Sequence, residues 1–118
     1  MTMNDTIDLH QLLAKPGQTP DEQVEIFALL NLGVLESLSH GLLSASDALR
    51  TFYHAENCLF VRRQLRSRIA DEIMSRGVQL SDLFDALPPL TAQRQFQHEL
   101  AKMHALCLSL LERKLVAA

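Results

Sequence analysis

Start and stop signals for helices are the feature of this chain that most constrains its fold. The segment Thr19–Glu22 combines a capping threonine, a proline at the first helical position and a glutamate spaced to close a capping box. The helix that it opens is predicted to run to about Ser39, where Gly41 supplies a left-handed exit. Ser44, with an acid three residues later, predicts the start of the next helix, over about residues 47–53.

The second half of the chain carries further signals of the same kind. A helical stretch over Cys58–Arg76 is predicted to end at Gly77, because glycine is the usual residue after a helix C-terminus. Ser81 then predicts a short helix over residues 82–87, which Pro88 and Pro89 stop. Thr91 is predicted to open the last helix, which reaches about Leu115.

The fold class follows from these signals and from a missing one. No segment alternates apolar and polar residues between turn residues, so no strand is predicted. A chain of 118 residues has the usual length of one domain. We therefore expect an all-α, compact, single-domain helical bundle of about four main helices plus short helical turns. Residues 1–18 are expected to form a weakly ordered N-terminal segment, and residues 19–118 the single helical domain.

Charge and hydropathy exclude or disfavour several classes of protein. No apolar run approaches the ~18 residues of a membrane span. The net charge of −3 argues against nucleic-acid binding, which usually leaves a basic surface. Residues 1–8 lack the pattern of a secretory signal, so a cytoplasmic location is expected. Cys58 and Cys107 are then expected to be reduced thiols.

The Pro20–Ser39 helix is apolar on nearly all sides. One face carries Val24, Phe27, Val34, Leu35 and Leu38. The other carries the candidate interface residues Ile26, Leu29, Leu30 and Gly33. Full burial of such a helix is hard to arrange in a small chain, so the second face is predicted to meet another copy in a homodimer. The alternative is that the short helices of the same chain cover it.

An arginine cluster gives this acidic chain one basic helix. Arg62, Arg63 and Arg66 are candidate partner-binding residues, since guanidinium groups grip carboxylates and phosphates. The alternative is a solvated face paired with acids such as Asp71. Arg62 falls within the apolar stripe of a regular helix, so it is expected either to extend its head group outwards or to pair with a buried acid.

Two histidine–cysteine pairs are the candidate metal ligands. His54 and Cys58 are four residues apart, and His104 and Cys107 are three apart, so each pair shares a helical face. Together they match the ligand set of a tetrahedral zinc site. Both cysteines lie within apolar stripes, however, and core packing is the favoured interpretation. No metal and no cofactor are therefore predicted.

The absence of catalytic motifs argues against an enzyme. The chain has no glycine-rich phosphate loop, nucleophile elbow or His-Glu-x-x-His pair, and no acid, base and nucleophile converge, so it is not expected to be an enzyme.

Asn31 is a polar residue in the middle of the Pro20–Ser39 helix. It is either a buried amide that fixes the register of a helix contact or a rim residue that faces water.

Two stretches carry a resemblance to known proteins. Residues 32–38 followed by 41–44, 47–48 and Phe52, and later residues 76–77 and 80–83, are similar to a family of short, uncharacterised bacterial all-α proteins. The resemblance covers about residues 24–115. It implies a bacterial helical domain without an established activity, and it assigns no functional residue.

Three functions are consistent with these features. The first is a non-catalytic cytosolic protein that acts through protein–protein interaction, as a homodimer or by binding a partner as immunity proteins and chaperones do. The second is a metal- or redox-responsive regulator that uses the His and Cys pairs. The third is an accessory protein that binds anions or nucleic acid through the arginine cluster.

Overall fold

Six α-helices and one π-helical turn make up the described part of the chain. The structure is a computed structural model that describes residues 6–117, with the side chains of residues 6–112. The helices are α1 (Leu9–Leu13), α2 (Pro20–Ser39), α3 (Ala45–Thr51), α4 (Ala55–Phe60), α5 (Arg68–Ala86) and α6 (Pro89–Ala117), and the π turn spans Val61–Leu65. No strand occurs in residues 6–117, and the chain folds as one all-α domain, as predicted.

Local capping chemistry sets the ends of α2 at the predicted positions. The Thr19 hydroxyl accepts a hydrogen bond from the Glu22 backbone N–H at 3.1 Å, and the Glu22 carboxylate accepts one from the Thr19 N–H at 2.9 Å. These two bonds form the predicted capping box and satisfy backbone donors that the helix itself leaves unpaired. At the other end, Gly41 has φ of +73°, which glycine adopts without steric cost.

The predicted boundaries at Gly77 and Ser81 are wrong. Helix α5 runs unbroken through both residues from Arg68 to Ala86. The break lies instead at Arg66, whose backbone is left-handed with φ of +51°, and Ser67 caps the helix that follows. Gly77 lies in the interior of the helix, where its missing side chain leaves room for the ring of Tyr53. No left-handed turn occurs there.

The helix stop predicted at Pro88 and Pro89 is confirmed only in part, because Pro89 begins the next helix. Helix α5 ends at Ala86, just before Pro88, since proline cannot continue a helix. Helix α6 begins at Pro89, two residues earlier than the predicted start at Thr91. Proline is well tolerated there, because the first turn of a helix has no backbone partner for its N–H group.

Helix α6 packs against the two other long helices of the bundle. Both α2 and α5 pack along it, and α3 packs on α5. Its buried face carries the predicted apolar stripe, and the inner face of α2 lies opposite. The buried members of the α6 stripe are Phe96, Leu100, Met103, Cys107 and Leu110.

A buried polar pair ties α2 to the segment that follows α3. Asn31 has no exposed surface, and its Oδ1 accepts a hydrogen bond from the Tyr53 hydroxyl at 3.0 Å. Its Nδ2 donates to the Phe27 carbonyl at 3.3 Å. The buried interpretation of Asn31 is therefore confirmed, with a partner from its own chain. Burial raises the pKa of Tyr53, so the phenol stays neutral.

The N-terminal segment docks on the core through Asn57. Asn57 Nδ2 donates to the Ile7 carbonyl at 2.9 Å, and its Oδ1 accepts from the Leu9 N–H at 3.0 Å. Leu9 and Leu13 are fully buried and belong to the same core as α2. The predicted division between residues 18 and 19 stays a prediction, and residues 1–5 lie outside the described part of the chain.

Candidate interaction surfaces

The outer face of α2, made of Ile26, Leu29, Leu30 and Gly33, is partly open. Leu29 is 55% exposed, and Gly33 is exposed as well. Ile26 and Leu30 are half-buried and pack against the core, so the free part of this face is narrower than the apolar pattern suggests. What remains open is a leucine beside a glycine, four residues apart, which places them on one side of the helix.

Gly33 has no packing contact that requires a glycine. A Cβ built at this position meets nothing within 4 Å. Glycine in a helix interior costs ~1 kcal/mol relative to alanine, because the backbone loses more freedom on folding. The Gly33 carbonyl accepts a hydrogen bond from the Ser37 hydroxyl at 2.9 Å, which an alanine would accept equally well. Among the described residues, no packing contact therefore offsets the cost of a glycine at position 33.

Acidic residues flank the open part of α2. Glu22 lies towards the N-terminal end of the helix from Leu29, and Glu36 and His40 lie towards its C-terminal end. His40 Nδ1 lies 3.1 Å from the Glu36 carboxylate, and both side chains are exposed. The outer face is thus an apolar centre with carboxylates at both ends and an imidazole at one.

The arginine cluster lies on the π turn and at the break before α5. Arg62, Arg63 and Arg66 are all exposed. Arg62 Nε lies 3.5 Å from Asp71 Oδ1, an exposed ion pair that contributes little to stability. Arg62 extends its head group outwards, which is the first of the two predicted alternatives, and the π turn interrupts the regular helix that was predicted at this position.

Arg66 combines exposure with backbone strain. A left-handed conformation costs an L-residue other than glycine ~1–2 kcal/mol, and Arg66 is the one non-glycine residue with positive φ in residues 6–117. It lies at an open cleft of about 820 Å³ between the N-terminal ends of α2 and α5. Carboxylates of Asp21, Glu25 and Glu72 line the same cleft, so its charge is mixed.

The two histidine–cysteine pairs have separate structural roles. His54 Nε2 lies 3.1 Å from the Ile7 carbonyl, and the Cys58 thiol donates to the Tyr53 carbonyl at 3.8 Å. Cys107 is fully buried, whereas His104 is exposed. Within the residues that the structure describes, no group of three or more His, Cys, Asp or Glu side chains is placed to hold a metal ion.

Burial makes both thiols weak nucleophiles. It raises the pKa of Cys107 to about 12 and raises the pKa of Cys58, which the nearby Arg62 partly offsets. Since the thiolate is the reactive form, both groups are almost fully protonated near neutral pH. The core-packing interpretation is confirmed for Cys107, which lies at the centre of the α6 stripe.

Sequence reasoning missed an open groove at one end of the bundle. This end groove lies between the α2–α3 loop, the end of α5 and the start of α6, and its volume is about 680 Å³. Leu38 and Phe96 form its buried floor, and Leu42 and Phe84 are exposed at its sides. No local signal predicts it, because its walls come from three segments that are distant in sequence.

Comparison with known proteins leaves these surfaces unassigned. The chain matches no protein-family model, no curated protein and no solved structure. The resemblance to short bacterial all-α proteins therefore stays a prediction. None of the helices in the described part of the chain has the length and apolarity needed to cross a membrane.

Proposed function

We propose that this protein is a non-catalytic cytoplasmic interaction protein whose outer face of α2 pairs with the same face of a second copy. The observation that carries the proposal is Gly33, an exposed glycine in a helix interior with open space over its Cα. A glycine at this position lets a second helix approach closely, and the exposed Leu29 beside it supplies apolar contact.

Charge favours an antiparallel arrangement of the two α2 helices. In a parallel pair each carboxylate of the face would meet its own copy, which is destabilising. In an antiparallel pair related by a two-fold axis near the level of Asn31, Leu29 meets Gly33 of the second copy. Glu22 then meets His40 of the second copy, so a carboxylate faces an imidazole rather than another carboxylate.

The chemistry of the core supports a non-catalytic role. The buried groups best suited to proton transfer or nucleophilic attack are Tyr53 and Cys107, and burial raises the pKa of both. Both therefore stay neutral near pH 7 and serve packing and hydrogen bonding. A reducing compartment suits the chain because both of its cysteines are free thiols.

The molar mass in solution tests the proposal. The molar mass of the wild type, measured by light scattering across micromolar concentrations, is expected to rise from 13.3 kDa towards twice that value as the concentration increases. Leu29→Gln is expected to weaken the dimer by at least about tenfold, which corresponds to ~1.4 kcal/mol. The matched control is Leu59→Gln on α4, where the leucine is also exposed but lies away from α2. Equal effects of the two variants would contradict the proposal.

The arginine cluster supports a second candidate function, the binding of an anionic partner. The supporting observation is that Arg66 keeps a strained left-handed backbone at the cleft where a glycine would be unstrained. Binding of an acidic peptide is expected to weaken with added salt and with Arg66→Glu. Binding that responds to neither change would remove this candidate.

A further inference from the structure

The end groove has exposed apolar walls that the fold does not use. Leu42 is 78% exposed in the loop after α2. A hydrophobic residue at this position normally packs back on the last turn of the helix that it follows. The residue it would meet is Ser37, which accepts backbone hydrogen bonds from Leu42 and Leu43 and offers no apolar surface. Leu42 is therefore left in solvent at the side of the groove.

Aromatic residues complete the apolar part of the groove. Phe84 is exposed on α5, and its ring meets the buried ring of Phe96 edge-on with centroids 5.2 Å apart. Leu38 and Ala45 continue the floor beneath them. Exposed leucine and phenylalanine over a buried apolar floor are typical of a site that docks an apolar side chain of a partner.

The charge of the groove is of one sign. Among the described residues, the ionisable side chains that line it are Asp47 and Asp85, and no cationic side chain does. Asp47 is engaged by hydrogen bonds from the Ser44 backbone and hydroxyl and by Arg50 at 3.0 Å, which hold its pKa below the usual value. Asp85 is exposed, with no ion pair to any side chain in residues 6–112.

We infer that the end groove docks a basic amphipathic helix of another protein. The apolar face of that helix would lie between Leu42 and Phe84, and a lysine or arginine at its edge would pair with Asp85. The groove is not an enclosed cavity, so it suits a helix laid across it better than a small ligand that must be enclosed. This surface is distinct from the outer face of α2, and the inference does not depend on self-association.

A labelled amphipathic peptide of leucine and lysine is the direct probe, with a leucine–glutamate peptide of the same pattern as its counterpart. Fluorescence anisotropy is expected to show micromolar binding of the lysine peptide and at least about tenfold weaker binding of the glutamate peptide. Added salt is expected to weaken binding, because it screens the carboxylate at the rim. Equal binding of both peptides would overturn the inference.

Matched variants localise the contact. Leu42→Ser is expected to weaken binding of the lysine peptide at least about fivefold, whereas Leu90→Ser, at a residue 81% exposed that does not line the groove, leaves it unchanged. Asp85→Asn is expected to weaken binding about threefold, and Asp82→Asn to have no effect. All four positions are on the surface, so circular dichroism is expected to show the wild-type fold.

Three further outcomes would overturn the inference. The first is that Leu42→Ser and Leu90→Ser bind the peptide equally. The second is that wild-type self-association is lost in Leu42→Ser, which would make the groove a contact between copies. The third is that the Leu29→Gln variant loses peptide binding together with dimerisation. If that variant is monomeric and still binds the peptide, the groove acts independently of α2.

Discussion

Gly33 and Gly77 are the same residue in two helix interiors, and their surroundings differ completely. At Gly77 on α5, an added Cβ would overlap the ring of Tyr53, so the glycine makes room for a buried aromatic side chain. At Gly33 on α2, an added Cβ would meet nothing within 4 Å. Each glycine costs ~1 kcal/mol of helix propensity. The packing of the chain accounts for that cost at Gly77 and leaves it unaccounted for at Gly33.

The comparison suggests where to look for the packing partner of Gly33. A glycine that lowers helix propensity without a packing contact in its own chain is expected to contact another molecule. The Gly77 region is closed by Tyr53, whose hydroxyl is held by Asn31. The Gly33 region is open, with the exposed Leu29 as its neighbour. If both glycines exist for close packing, the partner of Gly33 is a surface other than those that residues 6–112 provide.

The largest effect is expected for Gly77→Ala. The added methyl group forces Tyr53 or α5 to move, and overpacking of this kind costs ~1–3 kcal/mol, more than the gain in helix propensity. We expect the free energy of unfolding to fall by about 2 kcal/mol in urea titrations. An unchanged or higher stability would mean that Tyr53 moves aside freely, and the contrast with Gly33 would be lost.

Tyr53→Phe is the next test of the closed region. It removes the donor to Asn31 Oδ1 and leaves that buried oxygen without the bond it now accepts, which costs ~1–3 kcal/mol. A loss of about 1.5 kcal/mol in the free energy of unfolding is expected. The double variant with Gly77→Ala should lose less than the sum of the two single changes, because both act on the same ring. If the two losses in the free energy of unfolding simply add, the hydrogen bond to Asn31 and the packing on Gly77 act independently.

Gly33→Ala is expected to change stability in the opposite direction to Gly77→Ala. With open space over the position, the methyl group meets no atom and the helix gains propensity. Under dilute conditions, where the chain is monomeric, the free energy of unfolding is expected to rise by ~1 kcal/mol. A fall in stability would show that Gly33 serves the fold of the single chain after all.

An effect confined to alkaline pH is expected from Cys107. Its folded-state pKa of about 12 lies above the reference value of 9.0, so the fold favours the neutral thiol. Its contribution to stability is complete below pH 9 and is lost as the pH rises towards 12. The stability of the wild type should therefore fall more steeply over that range than the stability of Cys107→Ala. Parallel pH profiles would contradict the burial of this thiol.

Signals within a few residues of each other were sufficient for part of the fold. Thr19, Glu22 and Gly41 act on their own backbone neighbours, and the bounds of α2 follow from them. The role of Gly77 depends on Tyr53, 24 positions away in the chain, so the local pattern predicted a helix end where none exists. A glycine at the end of a helix and a glycine beneath a ring look the same in the sequence.

The candidate surfaces divide in the same way. The outer face of α2 could be predicted from helical periodicity, but the half-burial of Ile26 and Leu30 depends on packing. The π turn could not be predicted from the helical pattern, and Arg62 lies exposed within it. The end groove arises only where Leu42, Phe84 and Phe96 meet in the folded chain.

Self-association of Gly33→Gln tests the central claim most directly. Glutamine favours a helix more than glycine does and its Cβ meets nothing within 4 Å among the described residues, but its length would keep a second α2 helix away. In sedimentation equilibrium the wild type is expected to approach twice 13.3 kDa as concentration rises, while Gly33→Gln stays at 13.3 kDa with a fold at least as stable. A wild type that stays at 13.3 kDa, or a Gly33→Gln variant that dimerises as tightly as the wild type, would contradict the claim.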